Sequence, residues 1–142
     1  MENPCKLLLL GDSITKGYAP RLERILRSSY DEVDLTIIHA GVSGDTSRDA
    51  LKRLKPLVDQ HPDVAVIGFG MNDWRKGVDK SEYKQNLIKL LTAFEGVGTR
   101  VIINTVTPSY DFLRHRYNFQ VDEYSDIVRD IAYENRIKIA DI

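Results

Sequence analysis

The stretch Lys6-Leu7-Leu8-Leu9-Leu10-Gly11-Asp12-Ser13-Ile14-Thr15 decides how the rest of the chain reads. Its four leucines are apolar at every position rather than at alternate ones, which is the pattern of a strand buried on both faces. They stop at Gly-Asp-Ser, a tripeptide suited to a tight turn and ending on a hydroxyl. The stretch predicts a central strand that delivers Ser13 to its carboxyl end.

Outward from there, four further apolar runs follow, residues 35–40, 64–69, 100–106 and 137–142, most of the five being apolar at nearly every position. Amphipathic segments of helical length lie between them. Residues 20–29 carry Leu22, Ile25 and Leu26 at helical spacing, and residues 81–94 place Tyr83, Leu87, Leu90, Leu91 and Phe94 on one side. Residues 47–60 open on Thr46-Ser47-Arg48-Asp49, the pattern of a capping box, and contain Pro56, where a kink or early end is expected. A fourth helix is predicted over residues 117–134.

Strand and helix thus alternate throughout, which predicts an α/β fold with a parallel sheet and helices on both faces. Right-handed crossovers favour the flavodoxin-like strand order 2-1-3-4-5, with ligands bound outside the carboxyl ends of the strands. One domain accounts for all 142 residues.

Composition narrows the function. Lys and Arg number 20 against 21 Asp and Glu, a formal charge of −1, with no basic block to suit a nucleic-acid backbone. No apolar run is long enough to span a bilayer. The start shows no secretion signal, and a single cysteine, Cys5, fits a reducing compartment, so a cytoplasmic location is expected.

The unusual residues gather where a ligand is expected. Gly11-Asp12-Ser13 follows the first strand, Gly41-Val42-Ser43-Gly44-Asp45-Thr46 the second, and Gly70-Met71-Asn72-Asp73 the third. Acyl transfer needs a nucleophile and donors aimed at the oxygen that becomes negative. Ser13 supplies the hydroxyl. The backbone N–H groups of Ser13 and Gly44 and the side-chain amide of Asn72 are the candidate donors. Each has a structural alternative: Ser13 as a helix cap, Gly44 as a turn glycine, Asn72-Asp73 as a turn pair. Asp73 itself reads as structural, bonding nearby amides.

GDSIT, GVSGDTS and GMND resemble the first three blocks of the SGNH hydrolases, the GDSL-type esterases and lipases, in the expected order and context. The resemblance implies a three-layer αβα sandwich and hydrolysis of carboxylic esters or thioesters without a metal or other cofactor. It also implies that Ser13 is the nucleophile and that Ser13, Gly44 and Asn72 form the oxyanion hole. Asp12, Trp74, Tyr110 and His115 are candidate substrate contacts, with Tyr18 and Phe112 near the same edge. Small-molecule esters or thioesters are the expected partners.

The family's fourth block, D-x-x-H beyond the fifth strand, does not occur in this sequence. A serine without a base is a poor nucleophile near neutral pH. His39 reads as structural. His61 falls at the amino edge of the sheet. His115, in Asp111-Phe112-Leu113-Arg114-His115, follows the fourth strand on the correct edge. The expectation is a C-terminally truncated SGNH domain lacking its last helix, so that one apolar sheet face is uncovered; a longer chain or a second copy would cover it. The competing reading is a non-catalytic scaffold or interaction unit. A nucleotide binder is disfavoured, since no G-x-G-x-x-G or P-loop follows the first strand. Lys52, Arg53 and Lys55 read as a solvated helix face.

Overall fold

Leu8, Leu9 and Leu10 are completely buried and Leu7 nearly so, on alternate faces of the strand β1 (Cys5–Gly11). This is what a continuous apolar run predicts. The computed structural model describes residues 4–108, 110–111, 116–117 and 119–142. In chain order β1 is followed by α1 (Ser13–Ser29), β2 (Leu35–Gly41), α2 (Ser47–Lys52), α3 (Leu54–Val58) and β3 (Val64–Gly68). Then come α4 (Met71–Arg75), α5 (Lys80–Glu95) and β4 (Arg100–Asn104). A short antiparallel pair, β5 (Tyr110–Asp111) and β6 (Arg116–Tyr117), precedes α6 (Phe119–Asn135) and β7 (Lys138–Ala140).

The main sheet has five parallel strands in the order β2-β1-β3-β4-β7, the flavodoxin-like arrangement predicted above. Leu8, Leu10, Ala65, Ile67, Val101 and Ile103 point to one face and meet Leu87, Leu91 and Phe94 of α5 and Val128 and Ile131 of α6 in the larger core. Leu7 and Leu9 point to the other face, against Ala19, Leu22 and Leu26 of α1. Val64 and Val66 on this second face stay half-buried, as does Ile102 of β4. The described helices that reach β4 and β7 lie on the opposite side. No helix among the described residues is long and apolar enough to cross a membrane.

One helix boundary differs from the expectation, and the break expected around Pro56 falls at Arg53. The first helix starts at Ser13, not at residue 20. Asp12 caps it by accepting from the Ile14 N–H at 2.9 Å, and the helix runs through Pro20. Proline is common at a first helical position, which is why the sequence suggested a start there. Here one lost backbone bond is outweighed by the cap and by the packing of Ala19, Leu22 and Leu26 on the sheet. The second helix breaks at Arg53, three residues before Pro56. A proline ring clashes with the carbonyl four residues earlier, so continuous helix across Lys52 to Pro56 is disallowed. A new helix begins at Leu54 with Pro56 in its first turn, where no N–H is required. The capping box is present: the Thr46 side chain accepts from the Asp49 N–H, and the Asp49 carboxylate accepts from the Thr46 N–H.

Candidate active site

Three glycines in register carry the site. Gly41, Gly11 and Gly68 pair across the carboxyl ends of β2, β1 and β3. A Cβ on Gly11 would lie 2.6 Å from the Gly68 carbonyl oxygen and nearer still to Thr15 Oγ1; one on Gly41 would lie 2.5 Å from the Lys16 nitrogen. Bare backbone at these places lets the first turn of α1 settle directly on the strand ends. That turn presents Ser13, whose side chain is exposed and makes no hydrogen bond to a described residue. The capping alternative for Ser13 is settled: the cap is Asp12, and Ser13 is the first helical residue. Burial pushes the Asp12 carboxyl above the ordinary aspartate range, against the opposing hydrogen bonds from Ile14 and Thr15.

The loop after β2 approaches from one side. The Val42 N–H donates to the Gly11 carbonyl at 3.0 Å, which joins this loop to the turn before Ser13. Gly44 has a φ of +85°, the left-handed region that side chains resist by about 1–2 kcal/mol. The Lys76 ammonium donates to the Gly44 carbonyl at 2.5 Å.

Asn72, in the first turn of α4, approaches from the other side. Its Nδ2 donates to the Asp45 carbonyl at 3.0 Å. Beneath it Asp73 is fully buried and accepts from Ser47, through the backbone N–H at 3.1 Å and the hydroxyl at 2.5 Å. Asn86 of α5 donates in turn to the Ser47 hydroxyl at 3.0 Å. Desolvation raises the Asp73 carboxyl above its ordinary range, although the Ser47 hydrogen bonds act in the opposite sense. Ser13, Gly44 and Asn72 therefore stand at one sheet edge, connected through Gly11 and Asp45.

Beside Ser13 is a small pocket of about 50 Å³, lined in part by Asp12, Ile14, Tyr18, Phe69 and Met71. Tyr18 accepts from Asn104 Nδ2 at 3.4 Å there. Of the candidate substrate contacts, Asp12 borders this pocket. Trp74 does not: its indole donates to Gln120 of α6 at 3.1 Å and its ring packs on the larger core. Tyr110 begins β5, but its side chain, like Phe112 and His115, lies outside the described residues.

The two described histidines are far from Ser13. His39 projects from the middle of β2 on the α1 face, where its Nε2 sits 2.6 Å from the Glu23 carboxylate. Glu23 lies ten residues beyond Ser13 along α1, about 15 Å at the helical rise. His61 precedes β3 at the amino edge, a strand's length from the site.

Arg53 is a participant that the sequence reading assigned to a solvated face. Its side chain is only 26% exposed, and its Nε donates to Asp45 Oδ2 at 2.8 Å. Its Nη2 donates to the Gly11 carbonyl at 3.2 Å. The available signal was Pro56, which forces the helix break at Arg53.

Residues 9–142 match the model of the GDSL-like lipase/acylhydrolase family. Among curated proteins the chain is 32% identical to an arylesterase of Vibrio mimicus, over 94% of this chain and 68% of that one. It is 29% identical to the thioesterase 1/protease 1/lysophospholipase L1 of Escherichia coli strain K12, over 90% of this chain and 62% of that one. An acetylxylan esterase structure from Geobacillus stearothermophilus superposes with a TM-score of 0.84 at 26% identity, covering 99% of this chain and 78% of that chain. The family match spans all three blocks at the carboxyl edge and the parallel sheet from Leu9 of β1 onward; the chain belongs to the GDSL-like lipase/acylhydrolase family.

Proposed function

We propose that this chain carries the nucleophile and oxyanion-stabilising half of a serine-dependent ester or thioester hydrolase. Ser13 Oγ attacks the acyl carbon, and the alcohol or thiol leaves after collapse of the tetrahedral intermediate. Water then releases the acid from the acyl-serine. The Ser13 and Gly44 N–H groups and the Asn72 amide hold the oxyanion, a neutral donor set that adds no titrating group near the reacting centre. The observation that carries this reading is the Asn72 Nδ2 bond to the Asp45 carbonyl. It commits one amide hydrogen to the loop of Gly44 and leaves the second for a ligand at the serine.

Deprotonating Ser13 requires a base. His39 and His61 are not that group, for the reasons of position given above. The base comes from His115, from further chain or from a partner. The names of the relatives support substrates of the ester and thioester class, with acetylated saccharides and aryl esters as the first to try. The test is turnover of an activated acetate ester and an acyl thioester by this chain beside Ser13→Ala. Hydrolysis lost in the variant supports the reading. Equal inertness of two folded proteins favours a second one, a scaffold holding the oxyanion site without its base, which the Glu23-bound His39 favours.

A further inference from the structure

We propose that Arg53 is a positioning residue that sets the spacing of all three candidate oxyanion donors; this rests on the hydrolase reading. Its guanidinium spans two loops. One nitrogen bonds the Gly11 carbonyl, two residues before Ser13, and another bonds the Asp45 carboxylate, one residue after Gly44. Asp45 is a shared anchor, because its own carbonyl holds the Asn72 amide. A displacement of Asp45 therefore moves Gly44 through the backbone and Asn72 through the hydrogen bond. The backbone link from Val42 to Gly11 holds the same two loops at a second point, and Lys76 holds the Gly44 carbonyl from the solvent side. Neither bonds the Asp45 carboxylate to the strand end; among the described residues Arg53 does.

The chemistry calls for arginine. A guanidinium offers several donors in a rigid planar fork and can satisfy two acceptors in fixed directions at once. An ammonium at the end of a flexible stem is a point charge and would keep the Asp45 pair while releasing Gly11, or the reverse. The Arg53 and Asp45 side chains are only 26% and 15% exposed, so the pair is shielded from the screening that weakens surface ion pairs. The break between α2 and α3 puts Arg53 outside both helices and frees its backbone to aim the side chain at the site.

The test compares Arg53→Lys and Arg53→Met with wild type and with Lys55→Ala, a change at an exposed residue whose ammonium pairs with Asp59. With an activated acetate ester, kcat should fall by about 10- to 100-fold in both Arg53 variants. KM should change little, because the donors act on the transition state. An unchanged kcat in Arg53→Lys, or a loss confined to KM, overturns the proposal. Wild type that does not turn over favours the scaffold reading, and a second measurement then decides on Arg53. Hydrogen exchange at the Val42 and Asp45 amides, bonded to Gly11 and Val42, should speed up about tenfold in both variants, while Ala65 and Ile67 keep their protection. Unaltered exchange at Val42 and Asp45 overturns the proposal. If Arg53→Met fails to fold, Arg53→Lys decides alone.

Discussion

Asp73 accepts hydrogen bonds from both the backbone N–H and the hydroxyl of Ser47, so a fully buried carboxylate ties the turn after β3 to the start of α2. Asn72 sits directly above this junction. The loop geometry near Ser13 thus depends on a charge held out of water. Removing a carboxylate from solvent is costly unless hydrogen bonds offset it, and at Asp73 the burial prevails, leaving the group easier to protonate than a free aspartate.

This has a consequence for stability against pH. The folded state keeps a proton on Asp73 to higher pH than the unfolded chain does. Its contribution therefore favours folding below the ordinary value of 3.8 and is lost as pH rises through the folded-state value. Glu23 and Glu82, whose pKa values are lowered by His39 and Arg48, act oppositely. Subtracting Asp73→Asn isolates the buried group. Denaturant unfolding of both proteins over roughly pH 3.5 to 7 should show wild type losing ground relative to the variant as pH rises, then levelling off. A relative stability that climbs over that range would mean the Ser47 hydrogen bonds outweigh burial.

Asn72→Ala removes a candidate oxyanion donor and the bond to Asp45 together. Its kcat on an activated ester should drop by about 100- to 1000-fold, near 3 kcal/mol of transition-state stabilisation. Steady-state kinetics beside a melting curve checks this. A variant as active as wild type would remove Asn72 from the site.

Two glycines in the same segment of chain should respond oppositely to alanine. Gly11→Ala drives a Cβ against the Gly68 carbonyl and Thr15, and overpacking of this kind costs about 1–3 kcal/mol or more. Gly17, inside α1, has nothing within 4 Å of a built Cβ, and Gly17→Ala should stabilise by about 0.5–1 kcal/mol. Urea unfolding measures both, and equal effects of either sign would contradict the packing described.

Tyr83 is fully buried, and its hydroxyl donates to the Phe69 carbonyl at 2.7 Å, one residue before the Gly70-Met71-Asn72 turn. Tyr83→Phe leaves that carbonyl without this donor and should cost about 1–3 kcal/mol in chemical unfolding. A neutral result would point to relaxation of the turn.

The sheet was legible because both-face burial writes itself as unbroken apolar runs, as in Leu7 to Leu10, and because crossover handedness prunes the strand order. The three strand-end blocks were legible for the same reason: each follows such a run. Boundaries that depend on long-range contacts were not. The start of α1 is set by the Asp12 cap and by packing on the sheet, not by Pro20. The break at Arg53, by contrast, was signalled by Pro56, whose ring clashes with the carbonyl four residues upstream. Trp74 faces α6 and Arg53 faces inward because of tertiary placement that residue type alone does not encode.

The row of glycines at Gly41, Gly11 and Gly68 gives the site a fixed floor and an adjustable rim. Side chains cannot grow from Gly11 or Gly41 without lifting the first turn of α1, so variation at these two should abolish the site rather than retune it. Ile14 and Val42 are 37% and 43% exposed around Ser13, and Ser43 is exposed beside them. Sequence libraries aimed at a new acyl or alcohol preference therefore belong on those rim positions, where the surface can be rebuilt while the serine stays where the sheet puts it.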